Sequence, residues 1–180
     1  MTIKETFALA FKNHQKNNLK KAENLYKKIL TINPKHLESI FLLGSLSVQT
    51  KSFNRAIQLF NKVIAINPNH AKAYHNLGFI FTVIGEHQKA ITSCQKAIEI
   101  QPNYAEAHYN LGNVFKKLGK FQKAKDCFKK AIEIQPKNAN THNNLGNIFK
   151  QLGEFQKAID TYKKTIEIQP DHKKAHFNLG

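Results

Sequence analysis

Residues 105–138 read AEAHYNLGNVFKKLGKFQKAKDCFKKAIEIQPKN, and residues 139–172 read ANTHNNLGNIFKQLGEFQKAIDTYKKTIEIQPDH. Laid over each other, the two stretches match with a period of 34 residues. In the first, His108, Leu111, Gly112 and Phe115 fall at i, i+3, i+4 and i+7, which is one face of a helix. Gly119 stands where that helix should end in a left-handed cap. Phe121, Ala124, Phe128, Ala131 and Ile132 then supply the buried stripe of a second helix, and Pro136 blocks its continuation. One such helix pair buries too little apolar surface to be stable alone, so the units must stack.

The same punctuation runs along the whole chain. The five prolines, Pro34, Pro68, Pro102, Pro136 and Pro170, are each 34 residues apart. Gly44, Gly78, Gly112, Gly146 and Gly180 keep one register, and Gly85, Gly119 and Gly153 keep a second. Proline and glycine are the strongest backbone punctuation, so their shared period defines a tandem array. The repeats are placed at 3–36, 37–70, 71–104, 105–138 and 139–172, with a partial sixth at 173–180. The pattern stops inside a first helix, so we expect a single array that is truncated at its C-terminus and belongs to a longer protein.

The chain resembles the tetratricopeptide repeat (TPR) family over all but its first two residues. Tyr74, Leu77, Gly78, Phe81, Ala90, Cys94, Ala97 and Pro102 carry the family pattern in the third repeat. His142, Leu145, Gly146, Phe149, Ala158, Tyr162, Thr165 and Pro170 carry it in the fifth. Departures gather at the N-terminus, with Thr6 and Ala10 in the first repeat and Ser47 in the second. The resemblance implies an all-α fold, a right-handed α-solenoid of antiparallel helix pairs whose first helices line a concave groove. It also implies a protein-interaction scaffold, rarely with catalytic activity of its own.

If repeat positions 4, 7, 8 and 11 face the partner helix, positions 2, 5, 6, 9, 12 and 13 form the groove stripe. Position 6 is Asn76, Asn110, Asn144 and Asn178 in repeats three to six. Asn113 and Asn147 follow at position 9, Lys116 and Lys150 at position 12, and Tyr109 stands at position 5. A carboxamide both donates and accepts, so a ladder of them suits the backbone of an extended peptide. The lysines add a preference for acidic side chains or a free carboxylate. The arrangement is similar to the asparagine ladder in the TPR superhelix of O-linked N-acetylglucosamine transferase. The carboxylate clamp of chaperone-binding TPR domains is a poorer match, because position 5 reads Phe41, His75, Tyr109 and Asn143. In the N-terminal half Phe7, Phe11, Phe41, Leu42, Val48 and Phe79 occupy the same stripe, a candidate apolar patch for a hydrophobic anchor or for self-association.

Composition limits the remaining options. Of 180 residues 41% are apolar, and 28 basic against 12 acidic side chains give a formal charge of +16. No apolar run reaches membrane-spanning length, and Met1 to Asn13 lacks the pattern of a secretory signal, so a cytoplasmic protein is expected. Cys94 and Cys127 have neither metal nor redox spacing. Lys21, Arg55, Lys89, Lys123 and Lys157 at position 19, with Lys28, Lys62, Lys96, Lys130 and Lys164 at position 26, place ten cations on the outer face of the second helices. Asp126 and Asp160 precede Lys130 and Lys164 by four residues, which predicts local ion pairs. Only one of the 28 basic residues is arginine and no nucleic-acid motif is present, so nucleic acid is not the expected partner.

His108, His142 and His176 recur at position 4, and His36, His70 and His172 at position 34, so repetition rather than metal binding accounts for them. No phosphate loop, nucleophile elbow or zinc spacing occurs. The expectation is a scaffold without catalytic residues, cofactor or metal, which binds a protein or peptide in its groove. The alternative is the substrate-presenting arm of a larger glycosyltransferase-type enzyme. The oligomeric state is left open.

Overall fold

The computed structural model describes residues 1–179 as an all-α solenoid. The first helices are α1 (Ile3–Gln15), α3 (Leu37–Gln49), α5 (Ala71–Val83), α7 (Ala105–Lys117), α9 (Ala139–Gln151) and α11 (Lys173–Leu179). The second helices are α2 (Leu19–Ile32), α4 (Phe53–Ile66), α6 (His87–Ile100), α8 (Phe121–Ile134) and α10 (Phe155–Ile168). Each first helix packs on the second helix that follows it, and each second helix packs on the next first helix. No helix among the described residues is long and apolar enough to cross a membrane.

Within a unit, a glycine makes room for an aromatic ring. A Cβ built on Gly112 would lie 2.8 Å from Cε1 of Phe128, closer than side chains tolerate. Phe128 is fully buried there, and burial of such a side chain contributes about 2–3 kcal/mol. Tyr26, Phe60 and Tyr162 take the same place in their own repeats, each at most 2% exposed. The third repeat has Cys94 instead, and a Cβ on Gly78 would meet its Sγ. The apolar core falls into two clusters, one ending at Ile80 and the other beginning at Ala90. Phe81 packs against both. Burial pushes the Cys94 thiol up to about 12, which leaves it protonated and unreactive.

The sequence reading under-counted the buried face of the first helices. Position 3 (Ser39, Ala73, Ala107, Thr141, Ala175) and position 10 (Leu46, Ile80, Val114, Ile148) are as fully buried as the four positions assigned to the partner helix. α5 and α7 lie in more extended direct contact than α3 and α5.

The turn signals act as their chemistry requires. Gly119 has φ +68°, and the amides of Gly119 and Lys120 donate to the carbonyls of Lys116 (3.1 Å) and Phe115 (2.9 Å). This pair of bonds closes the end of α7 as a Schellman motif. Asn17 and Lys51, at φ 59° and 56°, take the left-handed place in the first two repeats, which lack the glycine. The histidines at position 34 are N-caps: Nδ1 of His36, His70 and His172 accepts the amides of Ser39 (3.3 Å), Ala73 (3.1 Å) and Ala175 (3.2 Å). Those at position 4 lie with Nε2 against the preceding proline carbonyl, at 2.9 Å for His108, 2.8 Å for His142 and 2.7 Å for His176. Both series therefore have a structural assignment in the repeat.

Candidate functional site

The groove stripe of α7, α9 and α11 holds a connected hydrogen-bond network. The Asn144 carboxamide nitrogen donates to the Tyr109 hydroxyl and to Asn113 Oδ1, both at 3.1 Å. Its oxygen accepts the Lys116 ammonium at 3.3 Å. An ammonium can only donate, so this contact fixes which end of the Asn144 amide is oxygen. One repeat on, Asn178 donates to Asn143 Oδ1 (3.2 Å) and Asn147 Oδ1 (3.1 Å), and Asn147 also accepts the Tyr162 hydroxyl at 2.8 Å. Asn110 lies 3.3 Å from the His75 ring nitrogen, one repeat back, and is only 9% exposed. Asn76 has no side-chain hydrogen bond among the described residues.

The ladder is thus bonded along itself. Both amide protons of Asn144 and of Asn178 are committed to the preceding repeat. Sequence reading placed these residues on one stripe but did not foresee that they would bond to one another. It placed Asn143 at position 5 of the stripe without a role, whereas Asn143 is 5% exposed and serves as the acceptor for Asn178. The oxygens of Asn113, Asn143, Asn144 and Asn147 are engaged as well, so among the described residues the donors left without a partner on this stripe are the amide nitrogens of Asn113, Asn143 and Asn147 and the Lys150 ammonium.

Lys116 is half-buried. Loss of solvation pulls its pKa below the usual lysine value, and the like charges of Lys174 and Lys117 pull it further. Lys174 comes from α11, two repeats away in sequence. Lys117 donates to the Thr82 carbonyl at 2.9 Å, in the last turn of α5. Every ion pair among the described residues involves side chains other than Lys116, Lys117, Lys150 and Lys174. Lys116, Lys117 and Lys174 therefore form a group of cations without a contacting carboxylate among the described residues.

The outer face differs. Six of its ten recurring basic residues are ion-paired: Arg55 with Glu23, Lys89 with Glu86, Lys157 with Glu154, and Lys96, Lys130 and Lys164 with Glu99, Glu133 and Glu167. The pairs expected from Asp126 and Asp160 do not form. Their carboxylates accept Gln122 (3.3 Å) and Gln156 (3.1 Å) instead, while Lys130 and Lys164 reach the glutamate three residues on. The glutamate's extra methylene lets it meet the lysine over a shorter separation.

At the N-terminal end the groove becomes apolar. Phe7, Phe11, Leu37, Phe41, Leu42 and His70 line a cavity of about 290 Å³ between α1 and α3, with Glu38 at its edge. Phe41 packs on the His70 ring at 4.9 Å and Phe7 on the His36 ring at 5.4 Å, and the capping His70 also forms part of the cavity wall. Phe11 is 41% exposed, and with Leu42 it separates this cavity from a second hollow of about 780 Å³ lined by His14, Ser45 and Gln49. Phe79, grouped with these residues in the sequence, lies outside the cavity and is 40% exposed on α5.

Comparison with known proteins places the chain. The family profile described as "Tetratricopeptide repeat" matches residues 105–138 and 139–172, and that described as "TPR repeat" matches residues 80–119. A profile described as "Anaphase-promoting complex, cyclosome, subunit 3" matches residues 15–97. Among solved structures, one of MamA is 30% identical over 92% of this chain and 96% of its own, with a TM-score of 0.80. Another MamA structure is 29% identical over 99% and 96%, with a TM-score of 0.79. YrrB, described as a TPR protein with an unusual peptide-binding site, shares the fold at 23% identity over 96% and 89%, with a TM-score of 0.75. Comparison with curated proteins finds no match.

Proposed function

The chain belongs to the tetratricopeptide repeat family, and on that premise we propose that its repeats at 3–36, 37–70, 71–104, 105–138 and 139–172 act as one array that holds an acidic, extended segment of a partner protein in the concave groove. The observation that carries this reading is the groove's cation cluster. Lys116 is half-buried beside the like charges of Lys117 and Lys174, and none of the three has a contacting carboxylate among the described residues. A partly buried ammonium without a counter-ion is poorly solvated, and an incoming carboxylate relieves that cost.

The asparagines act in two ways. Asn144 and Asn178 hold successive first helices together, and Asn144 also positions the Lys116 ammonium. The amide nitrogens of Asn113, Asn143 and Asn147, which have no partner among the described residues, donate to backbone carbonyls of the bound segment, while the lysines take its acidic side chains. The description of YrrB as having a peptide-binding site agrees with this use of the fold.

The test is fluorescence anisotropy with a labelled acidic decapeptide and a neutral one of the same length. The native chain is expected to bind the acidic peptide more tightly, and the Lys116→Gln/Lys150→Gln variant to lose about tenfold, the effect of roughly 1.4 kcal/mol. Equal binding of both peptides by the variant and the parent would remove the lysines from the site.

A further inference from the structure

The two ends of the groove carry different chemistry, and this specifies more than an acidic ligand. The cavity between α1 and α3 is walled by Phe7, Phe11, Phe41 and Leu42, and its one charged neighbour is Glu38. The cluster at the other end is cationic, with Lys116 fixed on Asn144 and Lys117 on the α5 terminus. An acidic group is repelled by Glu38 and attracted by the lysines, whereas a large apolar side chain finds an apolar hollow between α1 and α3 and none beside the lysines. From this complementarity, and resting on the peptide-groove reading above, we infer that the ligand is a bipartite segment of a partner protein: an aromatic or branched aliphatic anchor seated between α1 and α3, joined by an extended spacer to an acidic cluster lying on α7 and α9.

The spacing follows from the packing. About two and a half repeats separate the cavity from Lys116, and neighbouring first helices are on the order of 10 Å apart, so the span is roughly 25 Å. An extended chain covers that distance in about seven or eight residues. A spacer much shorter cannot place both ends at once, so the two contacts should reinforce each other only near this length. Phe11 is partly exposed at the cavity rim and separates it from the neighbouring hollow, which suits it to close over an anchor.

The test uses the full chain and four labelled synthetic peptides. The reference has a Leu-Phe anchor, a seven-residue Ser/Thr/Gln spacer and three aspartates. The others lack the anchor (Leu-Phe to Ala-Ala), replace aspartate by asparagine, or shorten the spacer to two residues. The reference peptide is expected to bind at least tenfold more tightly than each of the other three. Phe11→Ala should abolish the gain from the anchor while leaving the gain from the aspartates. Lys116→Gln/Lys150→Gln should do the reverse, and only the aspartate contribution should fall with added salt. Both variants change groove-facing side chains outside the fully buried core, and an unchanged helical circular-dichroism spectrum checks their fold. If the anchor-free peptide binds as well as the reference, the acidic groove stands and the bipartite ligand is overturned. Equal affinity for the two- and seven-residue spacers has the same consequence. If no peptide binds, both readings fall together. A concentration-dependent doubling of mass that Phe11→Ala abolishes would assign the cavity to a second copy of this chain and overturn the inference.

Discussion

Replacing Asn144 by alanine separates a ladder bonded along itself from a row of independent surface amides. Asn144 makes three hydrogen bonds, to Tyr109, Asn113 and Lys116. In a half-buried groove each contributes about 0.5–1 kcal/mol, so their loss costs about 2 kcal/mol. Alanine is the better helix former by about 0.6 kcal/mol, so the net destabilisation should be about 1.5 kcal/mol. Asn76 occupies the same repeat position without a side-chain hydrogen bond, so Asn76→Ala should keep only the propensity gain and be neutral or slightly stabilising. The two variants should therefore differ by about 2 kcal/mol in urea denaturation followed by circular dichroism. Hydrogen exchange should locate the loss of protection in α7 and α9, because a stacked array weakens at the interface that is cut. If the two variants agree within about 0.5 kcal/mol, lateral bonding is not what these asparagines provide.

Three further outcomes follow from the packing and charge. Gly112→Ala drives a Cβ into the Phe128 ring and should cost about 1–3 kcal/mol. Gly119→Ala meets nothing but must hold φ +68°, and should cost about 1 kcal/mol; thermal unfolding that reverses this order would show that the ring is free to move aside. Ser93→Leu restores the residue found in the same register as Leu25 and Leu59, and places it in a cleft of about 590 Å³ between α4 and α6 walled by Ile64, Leu77 and Phe81. It should stabilise the chain by about 1 kcal/mol, and a lower melting temperature would show that the cleft cannot take it. Burial holds the pKa values of His14, His70 and His75 below the ordinary histidine value. The unfolded chain then binds more protons than the folded one below about pH 6.5, so stability should fall as the pH drops through that value toward the lower folded pKa values. Urea midpoints that stay flat between about pH 7 and 5 would contradict it.

The fold was legible because its punctuation repeats: Pro136 and Gly119 mark the same turns as their counterparts in other units, and a period of 34 survives wherever local helix signals are weak. Ser47 and Cys94 stand at family positions usually filled by aromatics, yet the register carries through them. The small residues at position 3 carried a readable signal in the same period, and their burial could have been found from it. The site was legible only by position. Asn76, Asn110, Asn144 and Asn178 align in the sequence, but whether their amides bond across repeats depends on the distance between successive first helices, which no single repeat encodes. Asn144 and Asn178 make that reach in the same register, to Tyr109 and Asn113 and to Asn143 and Asn147. Likewise, Phe7, Phe11 and Phe41 share a cavity while Phe79 does not, because the cavity closes between two adjacent helices and Phe79 lies on the third.

The central claim is that the concave face, and not the lysine-rich outer face, receives the partner. Titrating an isotope-labelled chain with the acidic peptide and mapping amide chemical-shift changes by NMR tests it most directly. The changes should concentrate on α7, α9 and α11, around Asn113, Lys116 and Asn147, and leave α8 and α10 unmoved. Changes confined to the outer faces of α8 and α10, around Lys130 and Lys164, would contradict it.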